Sequence, residues 1–396
     1  MTGEWIFAAS FIAFFLNFCG YIFILALLKK IRATPLPIIK DKTNLIKELP
    51  EFYIIVTFLN EESFLRKKIQ NLLNLEYQEG KKHIVLVDGG SSDNSLRIVN
   101  EFLAEHKNLK SLQIPGEGKI AQLNAALAII PENAIVAVSD ADALLSPSDI
   151  LLRSVYYLEQ KNISLVGAWG MPDANNALEI ECAHWDKQNR LRYMETLSYS
   201  ATIVTALFYA FPKKIFSRFP DNCIADDVYI SFFTHQLPAR VIYAPDIEAV
   251  ELRQTKKVLE LFKQKFRKAH AYTTELFRQL HKLPGMKKRV KFLYLFKVFQ
   301  FFYLPWISIF LIGSTIALIL SGNIYLIVFC YLFLFCGISF ASFLVAPPPG
   351  RTRGGVSFKS AFNTILSFAF INFVLVLNSM SFPFWRQTAR YSRIKK

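Results

Sequence analysis

His83-Ile84-Val85-Leu86-Val87-Asp88-Gly89-Gly90-Ser91-Ser92-Asp93 decides how this chain folds. A short apolar, β-branched run ends on a carboxylate and a glycine-serine turn, and helical spacing over residues 94–106 follows, so the unit reads strand, turn, helix. Its neighbours repeat that order. Upstream, Tyr53-Ile54-Ile55-Val56-Thr57-Phe58 gives way to polar Asn60-Glu61-Glu62 and then to helical spacing through Phe64, Ile69, Leu72 and Leu73. Downstream, residues 111–114 read as a strand, 119–130 as a helix, and 134–139 as a strand ending in Asp140-Ala141-Asp142. Strands alternating with helices predict an α/β domain with a mostly parallel sheet covered on both faces. Ligands of such sheets bind beyond the carboxyl ends of the strands, where these polar clusters fall. Further on, residues 166–170 and 241–243 predict strands, and 179–197, 226–234 and 255–280 predict helices, the last of them basic.

Outside this domain the chain turns apolar. Runs over residues 5–28, 299–320 and 324–346, and a weaker one over 361–385 interrupted by Asn363, Asn372, Asn378 and Pro383, have the length needed to cross a bilayer. With 53% hydrophobic and 19% charged residues, the 396-residue chain is too apolar for a purely water-soluble protein, and disorder, collagen and coiled coil are excluded. The expected organisation is an N-terminal transmembrane anchor (1–30), a basic juxtamembrane linker (31–50), a central α/β domain (51–285), an interfacial helix with C-terminal transmembrane segments (286–385), and a basic tail (386–396).

Lys+Arg 46 against Asp+Glu 31 gives a net charge of +15. Because Lys29, Lys30, Arg32, Lys40 and Lys42 follow the first apolar run, they predict an uncleaved anchor with the central domain in the cytoplasm, as part of a multi-pass plasma-membrane protein. Lys282, Lys287, Lys288, Arg289 and Lys291 return the chain to the same face, where basic residues meet anionic head groups. At the C-terminus, Arg351 and Arg353 compete with Arg386, Arg390, Arg393, Lys395 and Lys396 for that face, which leaves the fourth run as a crossing, re-entrant or interfacial segment. Nucleic acid is excluded as a partner, since the basic residues cluster beside apolar runs and no nucleic-acid module is present. The five cysteines form neither a disulfide framework nor a metal-ligand spacing.

Four groups of residues can carry chemistry. Asp88 with its glycine-serine turn suits either a capped tight turn or a nucleotide site in which the carboxylate accepts bonds from base or ribose. Asp140 and Asp142, alternate residues at a strand end, put two carboxylates into one cleft, where either a divalent cation bridging to a diphosphate or two salt bridges to lysines would relieve their repulsion. Lys119 opens a helix after Gly116-Glu117-Gly118; Ile120 in the Ser/Thr position rules out a P-loop, but the lysine can reach a phosphate. Asp226-Asp227 opens another helix, as a dipole-favoured pair or as a general base tuned by its neighbour. His184-Trp185-Asp186 lacks a nucleophile, and His184 reads as structural.

Taken in order, these motifs resemble those of membrane-anchored family 2 glycosyltransferases, with a GT-A catalytic domain and an inverting reaction. The resemblance covers roughly residues 51–271. It makes Thr57, Asn60 and Glu61 part of the first-strand motif, Asp88 the uridine-contacting residue, and Lys119 and Asn124 the pair that precedes the metal motif. It makes Asp140 and Asp142 the Asp-x-Asp, the second of them ligating Mg²⁺ or Mn²⁺. Thr205 to Phe211 resembles the acceptor-side strand, with Ala206 for a usual Gly. Asp226-Asp227 stands at the family's Glu-Asp motif, so both are candidate catalytic residues and Asp227 inherits the base. Gln264 and Arg267 match a Gln-x-x-Arg-Trp motif on the diphosphate and acceptor side, but Lys268 replaces the Trp. The implied donor is a UDP- or GDP-linked sugar, and the membrane anchoring suggests a lipid or lipid-linked acceptor. Single-sugar transfer is the expectation over polymer synthesis, because processive members keep that Trp. A silent membrane scaffold and a nucleotidyltransferase are further alternatives.

Overall fold

The structure is a computed structural model that describes residues 2–36, 48–345, 348, 358–382 and 384. Lys40 and Lys42, Arg351 and Arg353, and the basic residues after 385 lie outside the described residues. Eight strands form one sheet: β1 (Phe52–Phe58), β2 (Lys82–Asp88), β3 (Leu109–Gln113), β4 (Ile135–Val138), β5 (Ala143–Ser146), β6 (Ile163–Pro172), β7 (Tyr209–Pro212) and β8 (Arg240–Glu251). Their order is β3-β2-β1-β4-β7-β6-β8-β5.

The first half is parallel, β2 pairing with β1 and β3 and β1 with β4, in the register Thr57 to Val87 and Phe58 to Asp88. Beyond β4 the sheet is mixed, with β4–β7, β6–β7 and β5–β8 antiparallel and only β6–β8 parallel. The expected mostly parallel sheet is corrected accordingly, because strand-helix alternation is the same whichever way the returning strand runs. β5 and the helix Ile150–Glu159 carry no expectation at all, and β8 is far longer than residues 241–243. Pro245 and Asp246 break its apolar run, and the strand continues past them through a register shift against β6 between Ala168 and Trp169.

Both faces of the central strands β1, β2 and β4 are buried, which is why those strands are largely apolar. Phe52, Ile54, Val56 and Phe58 of β1 pack with Leu65, Ile69 and Leu72 of the helix Glu62–Leu73. The alternate residues Tyr53 and Ile55 pack with Ile120 and Leu123 of the helix Lys119–Ala128 on the other face. The period of two along a strand thus serves two helical layers at once.

The N-terminal segment is helical from Thr2 to Arg32 through a π-helical turn at Leu16–Gly20. Phe7, Phe11, Phe14 and Cys19 pack with Leu304, Leu311, Leu318 and Leu334 in a separate cluster. No single helix among the described residues is long and apolar enough to cross a membrane; Lys288–Phe302 and Leu304–Leu320, bent by 49°, pass that test together. The run over 299–320 is therefore broken at Tyr303, where one straight span was expected. A polar staple holds the flanking helices to the domain: the Tyr21 hydroxyl donates to Glu195 Oε1 at 2.6 Å, Lys297 pairs with the same oxygen at 3.1 Å, and Thr202 N–H and O–H both donate to Oε2 at 2.8 Å. These groups are buried and bonded to one another, the condition under which an internal polar network fixes one arrangement. The asparagines of the fourth run face protein. Asn378 donates to Thr273 Oγ1 at 3.0 Å and bonds His270 Nδ1 at 3.1 Å, and Asn363 donates to Glu179 at 2.5 Å.

Candidate active site

The turns after β1 and β2 are laced together. Asn60, at φ 57°, donates its N–H to Ser91 Oγ at 2.9 Å and accepts from Ser92 N–H on its side chain at 2.7 Å. Glu61 N–H reaches Ser95 Oγ at 2.9 Å, and Glu62 N–H reaches Asp93 at 3.2 Å. Asp88 is 1% exposed, and its carboxylate accepts from Gly90 N–H, Ser91 N–H and Ser91 O–H at 3.1, 3.0 and 2.5 Å. In this arrangement it organises the turn. Gly90 sits at φ +91°, and a Cβ there would stand 3.0 Å from that of Pro115, so both backbone conformation and space call for glycine. Thr57 is buried in β1 beside Val87.

Asp140 and Asp142 lie between β4 and β5, and each meets a cation. Lys119 Nζ is 2.8 Å from Asp140 Oδ1, and Arg253 Nε is 2.8 Å from Asp142 Oδ2. Lys119 also lies 3.1 Å from Oδ1 of Asp226, whose Oδ2 accepts from the buried Tyr209 hydroxyl at 2.8 Å. One ammonium thus joins the end of β4 to the start of the helix Asp226–Gln236, bringing together motifs far apart in the chain. Ala225 takes the N-cap position of that helix and Asp227 accepts from Val228 N–H at 2.9 Å, so neither aspartate is a conventional cap. Glu275, from the helix Val258–Gln279, accepts from Ile224 N–H at 2.6 Å and steadies the approach to Asp226.

Charge crowding tunes these groups. Burial, then the neighbouring Asp226, pushes the Asp227 carboxyl up to about 6 against the pull of Lys119. Among the described residues no cation pairs directly with Asp227. Burial, then Asp140 and Glu251, raises Asp142, while Arg253 pulls it down. Burial raises Glu61 to about 7, opposed by Arg253, with which it forms an ion pair. Lys68, fully buried, donates to Ser139 Oγ at 2.6 Å and to the Ala143 carbonyl at 2.7 Å, thereby holding both sides of the Asp140-Ala141-Asp142 turn; burial lowers it to about 7.

Two candidate groups lie apart from this cluster. Asn124 donates to the Phe219 carbonyl at 2.9 Å and accepts from Phe219 N–H at 2.8 Å, so its amide positions the loop after β7. Asn124→Ala strands both backbone groups and is expected to lower stability by about 1–3 kcal/mol, read as a fall in the thermal midpoint. Neither Gln264 nor Arg267 has a hydrogen bond or ion pair with the cluster, and Arg267 is exposed. The helix Val258–Gln279 instead sends its buried Lys265 to Glu181 at 2.6 Å, and the exposed Lys268 reaches Glu251 at 3.1 Å. His184 is driven toward its neutral form by burial and by Lys265 and Arg192, consistent with a structural role.

Sequence reading missed Arg253, Lys68, Tyr209 and Glu251. A signal existed for Arg253 and Glu251, namely the alternation Ile247-Glu248-Ala249-Val250-Glu251 that extends β8 to the turn carrying Arg253. Nothing local marks Lys68, which sits in an ordinary helix.

Mg²⁺ and Mn²⁺ take oxygen ligands, and Mg²⁺ is commonly held by one or two carboxylates together with substrate phosphates. Asp140 and Asp142 are acceptor-only oxygen donors one residue apart at a strand-end cleft, and they fit that shared mode. Among the described residues no group of three or more His, Cys, Asp or Glu could enclose a metal by itself.

Residues 53–219 match the glycosyl transferase family 2 model. The chain carries a family 2 glycosyltransferase domain. Beta-monoglucosyldiacylglycerol synthase of Trichormus variabilis is 36% identical to it over 121 residues, 30% of this chain and 25% of that protein. The probable glycosyltransferase YdaM of Bacillus subtilis is 25% identical over 281 residues, 65% of this chain and 63% of that one. Poly-beta-1,6-N-acetyl-D-glucosamine synthase of Staphylococcus epidermidis is 24% identical over 286 residues, 67% of this chain and 64% of that one. The chain therefore spans a quarter of the length of the first of these relatives and just under two thirds of the other two. The family 2 domain and its flanking helices share their fold with the mannosyltransferase PcManGT of Pyrobaculum calidifontis, solved with GDP-Man and Mn2+. That comparison gives a TM-score of 0.69 at 19% identity, over 94% of this chain and 98% of the other. The likeness establishes a GT-A-like α/β fold.

Proposed function

We propose that the protein is an inverting glycosyltransferase that moves a single sugar from a UDP- or GDP-linked donor to a hydroxyl or phosphate of a membrane-associated lipid or lipid-linked acceptor. One observation carries the reading: Lys119 ties Asp140 to Asp226, so the Asp-x-Asp turn and the candidate base Asp227 share one cleft at the strand ends.

In this reading Asp140 and Asp142 hold a divalent cation, which supplies charge neutralisation on the donor diphosphate. Asp227, with a carboxyl near 6, is ionised at neutral pH and still basic enough to take the proton of an acceptor hydroxyl. Asp226, held by Lys119 and Tyr209, keeps Asp227 raised and oriented. The activated oxygen attacks the anomeric carbon opposite the diphosphate, and in-line displacement inverts that centre. Lys119, already central to the carboxylates, balances negative charge as the leaving group departs. Asp88 and the turn it organises line the nucleotide side.

The membrane setting rests on the large apolar side chains exposed along the flanking helices, among them Trp5, Leu320, Tyr325, Phe329 and Phe335. Lys29 and Lys30 at one end, and Lys287 and Lys288 at the other, support a plasma-membrane protein whose domain faces the cytoplasm. The diacylglycerol in the name of one relative supports a lipid acceptor, and the name of the Staphylococcus relative favours a second reading, a processive polysaccharide synthase. Lys268, drawn onto Glu251 where processive members keep Trp, argues for single transfer.

The test supplies membranes carrying the protein with Mg²⁺ or Mn²⁺ and a panel of radiolabelled nucleotide sugars. Label is expected in the lipid extract from one donor. Label in insoluble polymer would favour the processive reading, and label confined to water-soluble products would overturn the lipid acceptor.

A further inference from the structure

Arg253 stands just past β8, in a stretch with no helix or strand of its own before Val258. Its Nε is 2.8 Å from Asp142 Oδ2, and its Nη2 pairs with Glu61. Its guanidinium lies over the Phe64 ring, 5.0 Å from the centroid, and its side chain is 44% exposed. The pair partners are the more buried groups, Asp142 at 15% and Glu61 at 18%. A single positive charge thus covers two carboxylates crowded by a third, Asp140. Nearby Glu251 already has Lys268.

A divalent ion bound at Asp142 would compete with the Arg253 guanidinium for the negative charge of the same carboxylate. A divalent ion neutralises this acidic group better than one guanidinium, and a nucleoside diphosphate arrives with phosphate oxygens that match the planar fork of an arginine. We propose that Arg253 is an exchangeable counter-ion: it caps Asp142 and Glu61 in the free protein and moves onto the donor diphosphate when cation and nucleotide bind together. The inference rests on the donor-site reading above. It gives Arg253 opposite effects on two binding events, which a plain structural ion pair does not have.

The experiment compares the wild-type full chain with Arg253→Gln, measuring Mn²⁺ binding alone by the electron paramagnetic resonance of the free ion, and GDP and UDP binding in Mn²⁺ by calorimetry. Arg253→Gln is expected to bind Mn²⁺ alone about tenfold more tightly and the preferred nucleoside diphosphate about tenfold more weakly, the effect of one charged hydrogen-bonding group. Arg253→Lys, which keeps the charge without the fork, is expected to hold Mn²⁺ near the wild-type affinity and still lose nucleotide affinity. If both affinities fall together in Arg253→Gln, or neither changes, the exchange is overturned. Asp142→Asn separates the levels: lost Mn²⁺-dependent nucleotide binding there upholds the site even when the Arg253 result fails, whereas unchanged binding overturns the site reading and this inference with it.

Discussion

Asp227→Asn is expected to lower kcat by about 10²- to 10⁴-fold, the range for removing a positioned general base, with nucleotide binding retained. A fall in both kcat and nucleotide affinity would instead assign Asp227 to donor binding. In the wild-type protein the rate should drop as pH falls through about 6, because protonation disables the base. Stability should move the other way. The folded carboxyl titrates near 6 against 3.8 unfolded, so the folded state binds the proton more tightly, and stability declines as pH rises from the unfolded value through about 6. Above that pH the ionised group costs the fold about 3 kcal/mol at most. Asparagine carries no such charge, so the variant should melt higher than the wild type at pH 8 and lose that advantage at pH 4. An inactive variant with a raised midpoint marks a site that holds charge at the expense of stability.

Lys119→Met is expected to damage both fold and reaction. Removing the ammonium leaves buried Asp226 and half-buried Asp140 without their shared cation, and breaking such a pair from one side costs about 3–5 kcal/mol when fully buried. Solvent access to Asp140 puts the expected loss near the lower end. Lys119 also holds the Asp227 carboxyl down, so its removal should move the acid limb of the rate profile from about 6 to higher pH. At pH 7 the rate should fall by about a hundredfold, the scale of losing one charge-stabilising group. A variant that loses stability but keeps the pH limb in place would confine Lys119 to a structural role.

Much of the first half of the domain is legible in the sequence. β1, β2, β4 and the helices between them follow from apolar runs punctuated by turn residues, and their ends differ from expectation by a residue or two. The second half was less legible for definite reasons. Helix Ile150–Glu159 follows a serine- and proline-bearing stretch that masks its start, and β8 carries Pro245 in its interior. In the candidate site, the residues with an acidic or turn-forming signature lie together, whereas Gln264 and Arg267, carried by a motif on a helix, stand aside from the carboxylates that Lys268 helps to balance.

Features that depend on near neighbours along the chain are written in its pattern: the strand-turn-helix rhythm, the Asp88, Asp140-Asp142 and Asp226-Asp227 turns at element ends, and the apolar flanks. Which cation answers which carboxylate is set by the assembled fold. Lys119 serves Asp140 and Asp226, Arg253 serves Asp142 and Glu61, and Lys68 holds the turn from beneath. The reason is that charge interaction depends on distance through space and on exclusion of water, and both are set by the order in which strands join the sheet, which no local pattern in the chain encodes.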